Sequence, residues 1–266
     1  MAYQTLLYDV SERIATITLN RPDAMNATTD EMYHELQGLL GKVADDRDVS
    51  CIILTGAGRG FCAGADLKAR KDDATPLERR ARHRWILKDI VEPLIRIEKP
   101  VIAAVNGAAA GAGFNIALAC DLIIASDQAS FIQSFARVGL VPDLGGLYLL
   151  ARVMGINKAK ELCFTARKVL PDEAKTLGFV NHVVPHAQLL TEARAIAAKI
   201  TAGSPTAIGM TKTLLNKSST STLEQMLEYE GYAQTVAYLT PEYEEGVSAF
   251  REKRTPDFAA AAARMS

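Results

Sequence analysis

Residues 101–121 read VIAAVNGAAAGAGFNIALACD. Val101 to Val105, directly after Pro100, has the apolar content of a short buried strand. Asn106 to Asn115 is then almost entirely alanine and glycine, Phe114 to Ala119 reads as a short helix, and Asp121 to Ala125 is a second strand. Strand, small-residue loop, helix and strand make a crossover whose strands pair in parallel, which puts the chain in the α/β class. Loop amides entering a helix point outward at its N-terminus, where partial positive charge accumulates.

Working outward, Cys51 to Thr55 is another strand, ended by Gly56-Ala57-Gly58-Arg59-Gly60 and followed by Phe61-Cys62-Ala63-Gly64-Ala65-Asp66. These residues too are small enough to leave their backbone N–H groups open to a ligand. Upstream, Gln4 to Tyr8 and Arg13 to Leu19 predict a hairpin turning at Asp9 to Glu12. Thr29 or Asp30 then caps a helix that runs through Met32, Leu36, Leu39, Leu40 and Val43. A charged stretch, Lys68 to Arg84, leads into a helix ending near Ile97. Beyond Gly145 the strand signal is confined to Val180 to Val184. Helices are expected at 147–153, 157–165, 187–201, 205–215, 223–239 and 243–251. The chain thus divides into an α/β core, 1–200, and a helical region, 201–266, with neither a flexible linker nor an internal sequence repeat.

The 266 residues are 48% hydrophobic, and 30 Lys+Arg against 31 Asp+Glu leave a formal net charge of −1. Basic residues are scattered among acids, so nucleic acid is not an expected partner. Met1 to Asn20 lacks a basic region followed by an apolar run, and no stretch approaches the roughly 18 apolar residues of a membrane span. A cytoplasmic protein without membrane partners is expected. Cys51, Cys62, Cys120 and Cys163 lie far apart, with no CxxC pair and no adjacent His, which fits reduced thiols and no metal site.

Either small-residue loop by itself is open to two readings: glycine and alanine serve tight packing and turns as readily as they serve ligands. Two such loops facing each other would hold an oxyanion. Together with Leu19-Asn20-Arg21-Pro22, Met25-Asn26, Gly139-Leu140-Val141-Pro142-Asp143 and Phe250-Arg251-Glu252-Lys253-Arg254, they make a set that resembles the enoyl-CoA hydratase/isomerase (crotonase) superfamily across nearly the whole chain.

That resemblance implies a stack of ββα units followed by a helical trimerisation region, assembled as a homotrimer or a dimer of trimers. It implies an acyl-CoA thioester as substrate, with coenzyme A entering as part of that substrate and no separate cofactor. Two backbone N–H groups would polarise the thioester oxygen, and matching the motifs places them at Ala63 and Ala112. Donors already fixed in a dry site suit charge that develops on oxygen, each being worth roughly 3 to 4 kcal/mol. By the same matching, Ala24, Ala63, Gly64, Ala65, Asp66, Leu67, Gly111, Asn115 and Lys253 fall where the family binds CoA or substrate. Asp66 reads equally as a cap of the following helix, and surface charge is the commoner fate of residues such as Lys253 and Arg254.

Hydratases of the superfamily use two glutamates, and the matching positions here are Asn115 and Phe135. Neither exchanges protons, so two-carboxylate hydration is disfavoured. Asp143 falls where several isomerases of the superfamily carry their base, and the run from Phe135 to Asp143 especially resembles the isomerases of phenylacetate degradation. One carboxylate suffices to shift a double bond, because it takes a proton beside the thioester and returns it two carbons away. Asp143 also reads as the N-cap of the helix that follows. Three functions stay open: an enoyl-CoA isomerase working through Asp143; a hydratase, hydrolase or dehalogenase variant in which Asp143 activates water or attacks the acyl group; and a non-catalytic CoA-binding member. His83 and Trp85 either shape the acyl pocket or cover the surface, and Cys62 reads as a small buried residue.

Overall fold

A computed structural model describes residues 3–69 and 74–264, so residues 70–73 of the charged stretch and the chain ends lie outside the described residues. Four times over, two strands are followed by a helical element. The first unit is β1 (Leu6–Ser11), β2 (Ile14–Leu19) and α1 (Asp30–Asp45); the second is β3 (Cys51–Gly56), β4 (Gly60–Cys62) and α2 (Pro76–Ile86). From α2 the chain winds on through a wider π-type turn, Leu87–Val91, into α3 (Glu92–Arg96). The third unit is β5 (Val101–Val105), β6 (Ala108–Ala110) and α4 (Ala112–Leu118). The fourth is β7 (Leu122–Ser126), β8 (Ser130–Ile132) and, after a 3₁₀ turn at Ser134–Val138, α5 (Gly146–Met154).

The remaining elements are α6 (Ile156–Thr165), β9 (Lys168–Val169), α7 (Pro171–Thr176), β10 (His182–Val184), α8 (Leu189–Thr201), α9 (Pro205–Lys217), α10 (Leu223–Tyr238), α11 (Pro241–Glu252) and α12 (Phe258–Ala263). Both strands of the first unit and the first strands of the other three, with β10, form one sheet ordered β1-β2-β3-β5-β7-β10, antiparallel only between β1 and β2. The second strands of the later units, with β9, form a smaller sheet, β4-β6-β8-β9, parallel except at β9.

Both faces of the central strands β3, β5 and β7 are buried, and strand alternation sorts them. Ile52, Leu54, Val101, Ala103 and Val105 point toward α1, whose Met32, Leu36, Leu39, Leu40 and Val43 join the same core. Cys51, Ile53, Ile102 and Ala104 point the other way, onto Leu189, Ala193 and Ala197 of α8. Between the sheets Phe114 of α4 meets Phe131 of β8 and Phe179, the three ring centroids lying 5.1 to 5.2 Å apart. On α9, Lys212 pairs with Asp121 at 2.7 Å and donates to the Lys99 carbonyl, which pins this helix to the end of the sheet.

Several boundaries differ from expectation. The hairpin turns at Glu12 and Arg13, both with positive φ, so β1 runs to Ser11 instead of ending at Tyr8. A two-residue turn of that hand matches the twist of the strands, though it lacks the usual Asn-Gly signature. Thr29 caps α1, accepting from the Met32 N–H at 3.2 Å. The four strands of the small sheet and α7 stand where loops or nothing regular was expected. No helix among the described residues is long and apolar enough to cross a membrane.

Candidate active site

The second small-residue loop enters α4 two residues earlier than predicted, which makes Ala112 the first residue of that helix. A first-turn amide has no acceptor within its own helix, so the Ala112 N–H is left for a ligand. Gly111 before it has φ 51°, and a Cβ there would stand 3.0 Å from Ser134 Oγ. The first loop lies directly against α4: a Cβ on Gly113 would fall 2.2 Å from the Cys62 carbonyl oxygen, and one on Gly64 would fall 3.6 Å from Ala112 N. Glycine at these positions is what lets the two loops touch.

Hydrogen bonding corrects the expected donor on the first loop. The Ala63 N–H donates to the Met25 carbonyl at 2.9 Å and is therefore engaged within the protein. Two residues on, Thr28 pairs with the chain around Ala65: its N–H donates to Gly64 O at 2.7 Å, and its carbonyl accepts from Asp66 N at 3.0 Å. Alternation along an extended segment turns the Ala65 N–H away from Thr28, to the side where Ala65 borders open space. Ala65, not Ala63, offers the open amide beside Ala112.

Ala63 to Leu67, Gly111 and Ala112 all line one cavity of about 810 Å³, a size suited to a small ligand. Tyr33 and His34 of α1 and Arg82, His83, Trp85 and Ile86 of α2 form its facing wall, with Ser134, Phe135, Leu140, Asp143 and Leu144 closing it. Trp85 stands edge-on to Tyr33 and tilts over His34 with ring centroids 4.3 Å apart. Arg82 is bound to Asp30 at 2.5 Å and lies over the Tyr33 ring. Burial pushes the Tyr33 phenol above its ordinary pKa, and Cys62 and Asp143 nearby push in the same direction.

Asp143 lies on the cavity wall, half-buried, with Oδ2 3.9 Å from His83 Nδ1. It does not cap the next helix: the residue before α5 is Gly145, at φ 77°, and no side chain caps that end. Its backbone is fixed instead, because its carbonyl accepts from Asn115 Nδ2 at 2.9 Å and from Gly146 N at 2.8 Å.

Asn115 itself is fully buried, and Gln133 Nε2 donates to its Oδ1 at 2.7 Å. Expected as a substrate contact, it is absent from the cavity wall and supports the Asp143 loop from behind. Phe135, at the second position where the family carries a glutamate, presses its ring against Gly111.

Asp66 caps a turn, not the helix expected after it: α2 is capped by Thr75. Asp66 borders the cavity, and it also pairs with Arg21 at 3.0 Å and accepts from the N–H groups of Lys68 and Ala69. Burial alone would raise its pKa; the Arg21 guanidinium and these N–H groups overcome that and hold the carboxyl below its usual range. Ala24, in the 3₁₀ turn Pro22–Ala24, and Lys253, exposed at the end of α11, are off the cavity wall of this chain. Burial pushes the Cys62 thiol up to about 12, as suits an inert core residue. Tyr33 and Ser134 were missed by sequence reading: Tyr33 looks like one more residue on the apolar face of α1, and Ser134 carries no motif. No cluster of three or more His, Cys, Asp or Glu among the described residues is arranged to hold a metal ion.

The family model for enoyl-CoA hydratase/isomerase matches residues 9–261. The 1,2-epoxyphenylacetyl-CoA isomerase of Escherichia coli K12 is 39% identical over 95% of this chain and 97% of its own. The short-chain-enoyl-CoA hydratase of Clostridium acetobutylicum is 36% identical over 96% and 97%. Among solved structures, an enoyl-CoA hydratase from Bacillus anthracis superposes with a TM-score of 0.92 at 34% identity, covering 96% of this chain and 99% of that one. Paired amide loops, the repeated ββα units and these matches together place the chain in the enoyl-CoA hydratase/isomerase family, with its crotonase fold.

Proposed function

We propose that the chain is an enoyl-CoA isomerase in which Asp143 is the acid/base. One observation carries the reading: Asp143 places a carboxylate on the wall of the cavity that Ala65 and Ala112 also line, while the two positions where the family's hydratases carry glutamates hold buried Asn115 and Phe135. Three other carboxylates on the wall have structural duties, Asp30 with Arg82, Asp66 with Arg21 and Glu78 with the Thr75 N–H.

In this reading the N–H groups of Ala65 and Ala112 hold the thioester oxygen. Asp143 removes the α-proton of a β,γ-unsaturated acyl group, and the C–H electron pair moves into the dienolate as charge gathers on the oxygen under the two donors. A proton returned to the γ-carbon leaves the α,β-double bond and restores the carboxylate. Coenzyme A arrives as part of the substrate, its carrier end lying along Ala63 to Leu67.

The chain's relatives include both an isomerase and a hydratase by name, at 39% and 36% identity, so side chains and not overall likeness favour the isomerase. Product analysis with a 3-enoyl-CoA and a 2-enoyl-CoA tests it. A double-bond shift is expected from the first and no hydroxyacyl product from the second; hydration or thioester hydrolysis instead would replace the reading.

The helical region 201–266 is proposed to assemble copies of the chain into a trimer or a dimer of trimers. Leu239 and Phe250 are 81% and 86% exposed, and Leu223, Leu227, Tyr232 and Val236 on α10 are open as well, more apolar surface than a solvated tail carries. In that assembly Lys253 would serve the CoA phosphates of a neighbouring copy. A stable monomer at micromolar concentration in sedimentation velocity would refute the assembly.

A further inference from the structure

His83 stands half-exposed on α2 with its Nδ1 3.9 Å from Asp143 Oδ2, a separation of the kind that tightens when a substrate binds. The two residues come from elements distant in sequence and face the same cavity. Asp143 is held at its backbone by Asn115 and Gly146, and Leu144 next to it is fixed at φ 48°. A carboxylate so tethered has only its own two side-chain torsions with which to serve both the carbon that loses a proton and the carbon that gains one. Two neighbours are otherwise engaged: Arg82 is bound to Asp30, and burial holds the Tyr33 phenol protonated. The His83 imidazole, 3.9 Å from the carboxylate, is a ring able both to accept and to donate a proton.

We propose that His83 is the second proton carrier of this site. The inference rests on the isomerase reading above. Asp143 breaks the α-C–H bond and holds the proton as O–H. The His83 imidazole takes that proton at Nδ1, regenerating the carboxylate, and the resulting imidazolium gives it to the γ-carbon of the dienolate as the charge leaves the thioester oxygen. Both side chains end as they began. A proton parked on a half-exposed imidazole exchanges with water, whereas one held by Asp143 alone goes back to the molecule it came from.

Turnover of a 3-enoyl-CoA in D₂O, with deuterium at the γ-carbon read by NMR, tests this on the wild type, His83→Asn, His83→Gln and Asp143→Asn. The wild type is expected to place deuterium there in most product molecules. Both His83 variants should instead return mainly the substrate's own proton, with kcat reduced toward the roughly hundredfold loss typical of a missing proton carrier. Equal deuterium content and equal kcat in wild type and both variants overturn the role of His83; an inactive Asp143→Asn in the same series leaves the isomerase reading standing. If both His83 variants are silent, the wild type decides, since product free of γ-deuterium overturns the relay and labelled product supports it. A wild type that shifts no double bond removes both.

Discussion

Asp143→Asn separates chemistry from architecture because of how Asp143 is held. Its carbonyl bonds to Asn115 and Gly146 belong to the backbone and survive the change. Its side chain does not cap α5, whose preceding residue is Gly145. Asn is nearly isosteric, and the site is half-buried, so the folded state should shift by no more than about 0.5 kcal/mol. Proton abstraction is different: an amide cannot take the proton, and loss of a positioned base costs about 10² to 10⁴ in rate, or roughly 3 to 5 kcal/mol of activation free energy. The assay is isomerisation of a 3-enoyl-CoA followed by the absorbance of the conjugated product, with thermal unfolding and acyl-CoA binding measured on the same preparation. The expected result is kcat at least a hundredfold lower, with melting temperature and binding close to wild type. Turnover within a few-fold of wild type would refute the assignment of Asp143 as the base.

Ala112→Pro deletes the proposed donor while keeping the helix start, since the first helical position tolerates proline; turnover should fall about 10² to 10³-fold with little change in melting temperature, and full activity would move the donor elsewhere. Asn115→Leu leaves the Asp143 carbonyl short of a donor and Gln133 Nε2 without its acceptor, each costing about 1–3 kcal/mol, so melting temperature and kcat should drop together. Asp66 has a depressed folded pKa, so its pairing with Arg21 stabilises above the unfolded value of about 3.9 and is lost as pH falls through the folded one. The melting-temperature gap between wild type and Asp66→Asn should therefore be constant from pH 5 to 7 and close below about pH 4; a gap unchanged at low pH would contradict the pairing. All four cysteines are buried, Cys62 with its thiol pushed up to about 12, so a thiol reagent at pH 8 should label the native protein slowly and the urea-unfolded chain at four sites.

How far the sequence carries the fold depends on where each element's information resides. The strands of the large sheet are legible because both of their faces are apolar, as in Cys51 to Thr55 and Val101 to Val105. Those of the small sheet are not, because Gly60–Cys62 and Ala108–Ala110 are three residues long and lie in Gly/Ala segments with no periodicity to read. The cavity's two loops were found by composition, yet the open amide was misplaced by two residues. Which N–H faces out follows from the pairing with Met25 and Thr28, contacts that lie about 35 residues away in sequence and have no local signature. Asp143 as a helix cap was a fair reading of its spacing; a glycine in left-handed conformation at 145 moves the helix start past its reach.

The proposed one-carboxylate chemistry agrees with the way Asn115 is bonded. Its amide nitrogen must donate to the Asp143 carbonyl, and its amide oxygen must accept from Gln133, in a place with no exposed surface. A carboxylate there would be acceptor-only and would face the Asp143 carbonyl with no proton to offer, so a charge at 115 and the present seating of Asp143 exclude each other. Gly146 enforces the fit from the far side, because a Cβ on it would fall 2.3 Å from Asn115 Oδ1. Phe135 fills the other position with a ring beside Gly111 that can neither take nor give a proton. In the proposed isomerase the proton would then travel along the wall where Asp143 faces His83, which is the arrangement a double-bond shift needs and an addition of water does not.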